Sequence, residues 1–71
     1  MKESFKVEVN SLNCVRTYKS EKFHSIPEAY EGYVSEIKKQ IDEKNHVYIT
    51  LYLIKYQEIG YTLDILKQCT L

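Results

Sequence analysis

No sign of charge prevails in this sequence, since ten basic and ten acidic side chains cancel to a formal net charge of zero. That balance argues against a strongly basic nucleic-acid clamp and equally against a strongly acidic mimic of DNA. Long apolar runs are also missing, and none approaches the ~20 residues needed to cross a bilayer. The start, Met1 to Val7, lacks the apolar core of a secretory signal. Cysteine is sparse: Cys14 and Cys69 do not make the disulfide-dense pattern of a small secreted domain. The expectation is a reduced, cytoplasmic protein, with a Cys14–Cys69 pairing left open.

Catalytic signatures are absent as well. The chain has no Gly-rich phosphate loop, no nucleophile elbow and no paired-histidine metal motif. Cys14, His24, His46 and Cys69 are the right types for tetrahedral zinc, but their separations match none of the paired short spacings such sites use. Cys14 with His24, or Glu28 with His24, pairs chemically useful groups without any motif around them. A substrate pocket takes ~300 Å³ or more, which a domain this small has little room for. No enzyme, cofactor or metal is expected.

The 71 residues make one domain, 1–71. A hydrophobic share of 44% with seven tyrosines is too rich for a disordered chain. So short a chain buries only about 60% of the surface that its unfolded form exposes. Its core then supplies roughly 3–5 kcal/mol, and dimerisation or partner binding adds noticeably to that.

The pattern predicts α+β architecture in the order ββαββ, a mainly antiparallel four-stranded sheet with one helix on one face. Residues 5–9 alternate, with Phe5, Val7 and Val9 inward. Asn10 to Asn13 supply a turn, and residues 14–19 read as a second strand. Residues 19–22, Lys-Ser-Glu-Lys, read as a charged connector. Ser25-Ile26-Pro27-Glu28 is a capping box that opens a helix over 26–44, with Pro27 in the first turn. Ile26, Tyr30, Tyr33, Val34, Ile37 and Ile41 form its apolar stripe, and Glu36 falls among the outward residues. Asn45 is the stop signal, and Gly32 points to a close approach between helix and sheet.

Residues 46–56 organise the chain, being its longest run of β-branched and aromatic residues. At period two, Val47, Ile49, Leu51 and Leu53 share one face. Tyr48, Thr50, Tyr52, Ile54 and Tyr56 share the other. Gln57 to Gly60 form a turn, and Tyr61, Leu63 and Ile65 alternate through a last strand over 61–68. A helix over 63–69 capped by Thr62 is the alternative, which the tight preceding loop disfavours.

One helix covers one face of a sheet, and the aliphatic face has the stronger claim. The tyrosine face is left partly exposed, and exposed aromatic patches usually mean contact. Tyr48, Tyr52, Ile54 and Tyr56 are therefore the candidate partner-binding residues, for a protein or a second copy of the chain. Tyr30 and Tyr33 belong to the core edge. The other function to weigh is a nucleic-acid-associated regulator that stacks bases on the same face and uses Lys19, Lys22, Lys38 and Lys39.

The ββαββ order, aromatic sheet face and Lys/Ile/Glu/Tyr-rich composition resemble small phage-encoded inhibitors of host enzymes, such as anti-CRISPR proteins and phage inhibitors of uracil-DNA glycosylase. The resemblance covers most of the chain but no shared signature. It implies a non-enzymatic inhibitor acting in a bacterial cytoplasm. The nucleic-acid mimics in that group are acidic and this chain is neutral, so the implied action is to plug a protein surface.

Overall fold

The computed structural model describes residues 3–12 and 17–71. The order is β1 (Glu3–Ser11), β2 (Thr17–Phe23), α1 (Ile26–Asp42), β3 (Val47–Tyr56) and β4 (Tyr61–Thr70). The strands form one antiparallel sheet ordered β2-β1-β3-β4. This is the expected α+β, ββαββ fold. The backbone spans 40 × 26 × 15 Å, a thin plate of one sheet and one helix.

β1 and β3 are the central pair, in unbroken register from Glu3 opposite Lys55 to Ser11 opposite Val47. Because β2 and β3 both run antiparallel to β1, they run parallel to each other and need a crossover. Helix α1 is that crossover. Phe5, Val7 and Val9 of β1 and Val47, Ile49 and Leu51 of β3 form the core with Ala29 and Tyr33 of the helix. β3 and β4 join through a four-residue turn in which the Gln57 amide donates to the Gly60 carbonyl at 3.1 Å. Gly60 takes a φ of 81° there, the left-handed region that glycine enters without a Cβ penalty.

β2 lies further along the chain than expected. Of the predicted strand 14–19, residues 14–16 fall outside the described residues, and the predicted connector 19–22 is strand. The register explains it: Phe23 stands opposite Phe5, which puts both rings on the helix side. Ser20, Glu21 and Lys22 are exposed, as an outermost strand allows.

Ser25 caps the helix as expected, its hydroxyl accepting from the Glu28 amide at 3.4 Å. At the other end, the Asn45 amide donates to the Gln40 carbonyl at 3.1 Å and the Lys44 amide to the Ile41 carbonyl at 3.0 Å. That pair of bonds is a Schellman ending, and it forces Lys44 to a φ of 57°.

The helix is turned about its axis relative to the expected stripe. Its buried residues are Ala29, Tyr33, Glu36 and Gln40, whereas Ile26, Tyr30, Val34 and Ile41 are exposed. At ~100° per residue the exposed apolar set lies roughly a quarter turn from the buried one. Two contacts account for this. The Phe23 ring occupies the space that a Cβ on residue 32 would need, so Gly32 seats the helix against β2. Glu36 and Gln40 are tolerated beneath it because Gln40 donates to Glu36 at 2.9 Å and accepts from Asn45 at 2.7 Å.

Two substitutions test this account. Lys44→Gly relieves a left-handed residue and is expected to raise stability by about 0.5–1 kcal/mol in denaturant unfolding. Gly32→Ala forces the Phe23 ring aside, and overpacking of ~1–3 kcal/mol outweighs the ~1 kcal/mol helix gain. The expected net loss vanishes in the Phe23→Leu background; a Gly32→Ala protein more stable than its parent contradicts the seat.

Candidate functional site

The helix packs on β2, β1 and β3, and no described element stacks on the opposite face of the sheet. Directly opposed residues share a face, so the registers map it. β1 contributes Ser4, Lys6, Glu8 and Asn10, and β2 contributes Ser20 and Lys22. β3 contributes Tyr48, Thr50, Tyr52, Ile54 and Tyr56. β4 contributes Tyr61, Leu63, Ile65, Gln68 and Thr70.

Tyr48, Tyr52 and Tyr56 are half-buried on this face. Ile54 shares their side but is only 3% exposed, and Thr50 is fully buried. Ile54 therefore lies at the floor of the face rather than among its exposed groups. A central strand has neighbours on both sides, and longer side chains close over shorter ones: Gln68 reaches across to donate to the Thr50 hydroxyl at 3.0 Å. Ile54 instead lines a hollow of about 110 Å³ with Lys6, Lys22, Tyr56, Tyr61 and Leu63. Beside it, Glu3, Ser4, Lys22, His24 and Tyr56 border a wider, shallow depression.

The polar groups here are mostly held in place. The Lys6 ammonium lies 2.9 Å from the Glu8 carboxylate and 5.2 Å from the centre of the Tyr52 ring. Burial pushes the Glu8 carboxyl up, but hydrogen bonds from Lys6 and Asn10 outweigh it and hold it below its ordinary value. The Ser4 hydroxyl donates to the Tyr56 oxygen at 3.3 Å, and with the charge of Lys22 this holds the phenol below its usual range. The Tyr56 and Tyr61 rings meet across the strands, 6.4 Å apart.

The largest exposed apolar groups of the face come from β4, which pattern reading placed as a strand but not at the site. Tyr61 is 62% exposed, Leu63 40% and Ile65 59%. Their alternation, in step with Tyr56 across the turn, was the signal available in the sequence. On the other side of the plate, Tyr33 is buried and its phenol is raised by that burial, whereas Tyr30 is exposed and stacks under the Lys67 ammonium. Lys38 and Lys39 are exposed on the helix, away from the tyrosine face. Among the described side chains, Lys6 and Lys22 lie beside the aromatic residues of the open face, and the side chain of Lys19 lies outside the described ones.

Among the described residues, no group of three histidine, cysteine, aspartate or glutamate side chains could hold a metal ion. Of the residues considered for zinc, His24 and His46 are exposed, Cys69 packs against the core, and Cys14 lies outside the described residues. No described helix is long and apolar enough to cross a membrane. Comparison with known proteins finds no matching family model, no matching curated protein and no matching solved structure.

The difference between floor and surface is measurable. Ile54→Ala is expected to cost about 2–4 kcal/mol although no helix lies over it, as for a core residue. Tyr61→Ala should change stability by no more than about 0.5 kcal/mol. Equal effects in urea unfolding would contradict the arrangement.

Proposed function

We propose that this protein is a non-enzymatic protein-binding module whose working surface is the uncovered face of the sheet. One observation carries the reading. Tyr48, Tyr52, Tyr56, Tyr61, Leu63 and Ile65 form an apolar and aromatic patch on two neighbouring strands, on the side the helix does not reach. Such a patch is costly in water, each fully buried large side chain being worth about 1.5–3 kcal/mol. Patches of this kind mark interaction surfaces.

The face also indicates the chemistry of its partner. The hollow floored by Ile54 takes an apolar side chain, and the rings of Tyr56 and Tyr61 offer area with few rotors. Lys22 at its rim favours a carboxylate beside that apolar group. The lysine set available to stacked bases is small, because Lys6 is engaged by Glu8 and Lys38 and Lys39 lie on the helix. A protein partner is thus the better match. Blocking a surface of an enzyme is the form of action that suits a chain made of scaffold and face.

Affinity capture from lysate of the source cells, with and without nuclease, tests this. The wild-type protein should retain a nuclease-resistant partner that Leu63→Asp loses, with circular dichroism showing Leu63→Asp folded. Retention that disappears on nuclease treatment would instead favour the nucleic-acid reading, and equal capture by both proteins would remove the face from the account.

A further inference from the structure

The sheet has two outer edges of very different character. β2 is seven residues long and carries Ser20, Glu21 and Lys22, charged and polar groups that discourage pairing. β4 is ten residues long, with no buried residue, and carries exposed Tyr61, Leu63, Ile65 and Leu66. It pairs with β3 on one side only, so about half its backbone donors and acceptors face outward. The helix lies mainly over β2, β1 and β3 and meets β4 at its inner side, where the Lys67 ammonium lies 5.4 Å from the Tyr30 ring; no described strand pairs with the outer edge.

We infer that the occupant of this edge is a second copy of the chain, its β4 running antiparallel to the first about a two-fold axis. This goes beyond the face reading, since it concerns the edge and holds whatever docks on the tyrosines. A bulge in β4 supports it. Lys67 stands opposite Leu51 and Ile65 opposite Tyr52, so Leu66 is an extra residue that breaks the alternation. Residues before and after it therefore exchange faces. A two-fold centred between Ile65 and Leu66 pairs the whole strand from Tyr61 to Thr70 and brings like faces together on both sides of the bulge, residues 61–64 against 67–70. Leu63 meets Gln68 of the partner subunit on the open face, and Thr62 meets Cys69 of the partner subunit on the helix face.

In that register Asp64 stands opposite Lys67 of the partner subunit, twice by symmetry. Both lie on the helix face, across from Leu53 and Leu51. Directly opposed side chains are ~5 Å apart at Cβ, where opposite charges attract and like charges repel. Asp64 reaches its own Lys55 only at 3.5 Å, with its side chain 53% exposed, so it remains open to a closer cation. Head-to-tail addition of β4 onto a further β2 would instead give an open filament, and the charges of β2 oppose it.

Light scattering should give the wild-type protein twice the mass of the chain at submillimolar concentration. Asp64→Lys and Lys67→Asp each set like charges against each other at two places, and each should weaken the dimer at least about tenfold, equivalent to ~1.4 kcal/mol. Mixed together, the two variants should recover the dimer, because each chain then supplies the sign the other lacks. Hydrogen exchange on the wild-type protein gives a second readout independent of the variants: outward amides of β4 should be protected and lose protection on dilution. A monomeric wild-type protein overturns the inference and leaves the tyrosine face untouched. A dimer indifferent to both charge reversals, or variants that do not recover it on mixing, overturns this register and edge.

Discussion

The governing constraint is one of coverage. A four-stranded sheet with strands about 4.8 Å apart is wider than a helix, whose diameter with side chains is about 10–12 Å. A single helix therefore leaves one whole face and part of the other without cover. What decides which part is the contact of Phe23 with Gly32. By admitting an aromatic ring against the helix backbone, it lets α1 settle across β2, β1 and β3, the strands it packs on most. The dry core then falls on the central pair, where Val9, Val47 and Ile49 are at most 1% exposed.

The same seat explains two local features that run against simple patterning. Turning Gly32 toward β2 turns Glu36 and Gln40 toward the sheet, and the helix remains stable because those groups and Asn45 hydrogen-bond one another. Asn45 is both the residue after the left-handed Lys44 and a donor into this chain, so helix ending and buried polar network are one device. On the opposite face, β3 is shielded from both sides in its middle. Thr50 and Ile54 are buried with no described element stacked over them, on a central strand flanked by long side chains such as Gln68.

Those facts mark what the sequence could and could not disclose. Strand β3, the Ser25 cap, the turn at Gly60 and the extended character of β4 were legible, because each rests on neighbours in the chain. The position of β2 was not: Lys-Ser-Glu-Lys reads as a connector unless the pairing of Phe5 with Phe23 is known. Helix rotation escaped for the same reason, since period marks an apolar stripe without saying whether a glycine elsewhere offers a closer seat. The weight placed on Ile54 rather than Tyr61, Leu63 and Ile65 has a third cause. Alternation assigns a side chain to a face, but exposure depends on whether its strand is central or outermost, and strand order is a long-range property.

Strand order also connects the open face with the open edge. In a single chain, Tyr61, Leu63 and Ile65 sit at the rim of the face, where a contact keeps water on one side and gains little. Binding energy concentrates near the centre of an interface, in positions sealed by their surroundings. The proposed pairing of β4 with a second copy would shift the three residues from the rim of a four-stranded face to the middle of an eight-stranded one, between the tyrosines of two β3 strands. An edge rich in exposed apolar residues is a liability in an isolated domain. In the proposed two-fold dimer it would become the means by which a chain too small to bury a large core presents a broad, continuous aromatic surface.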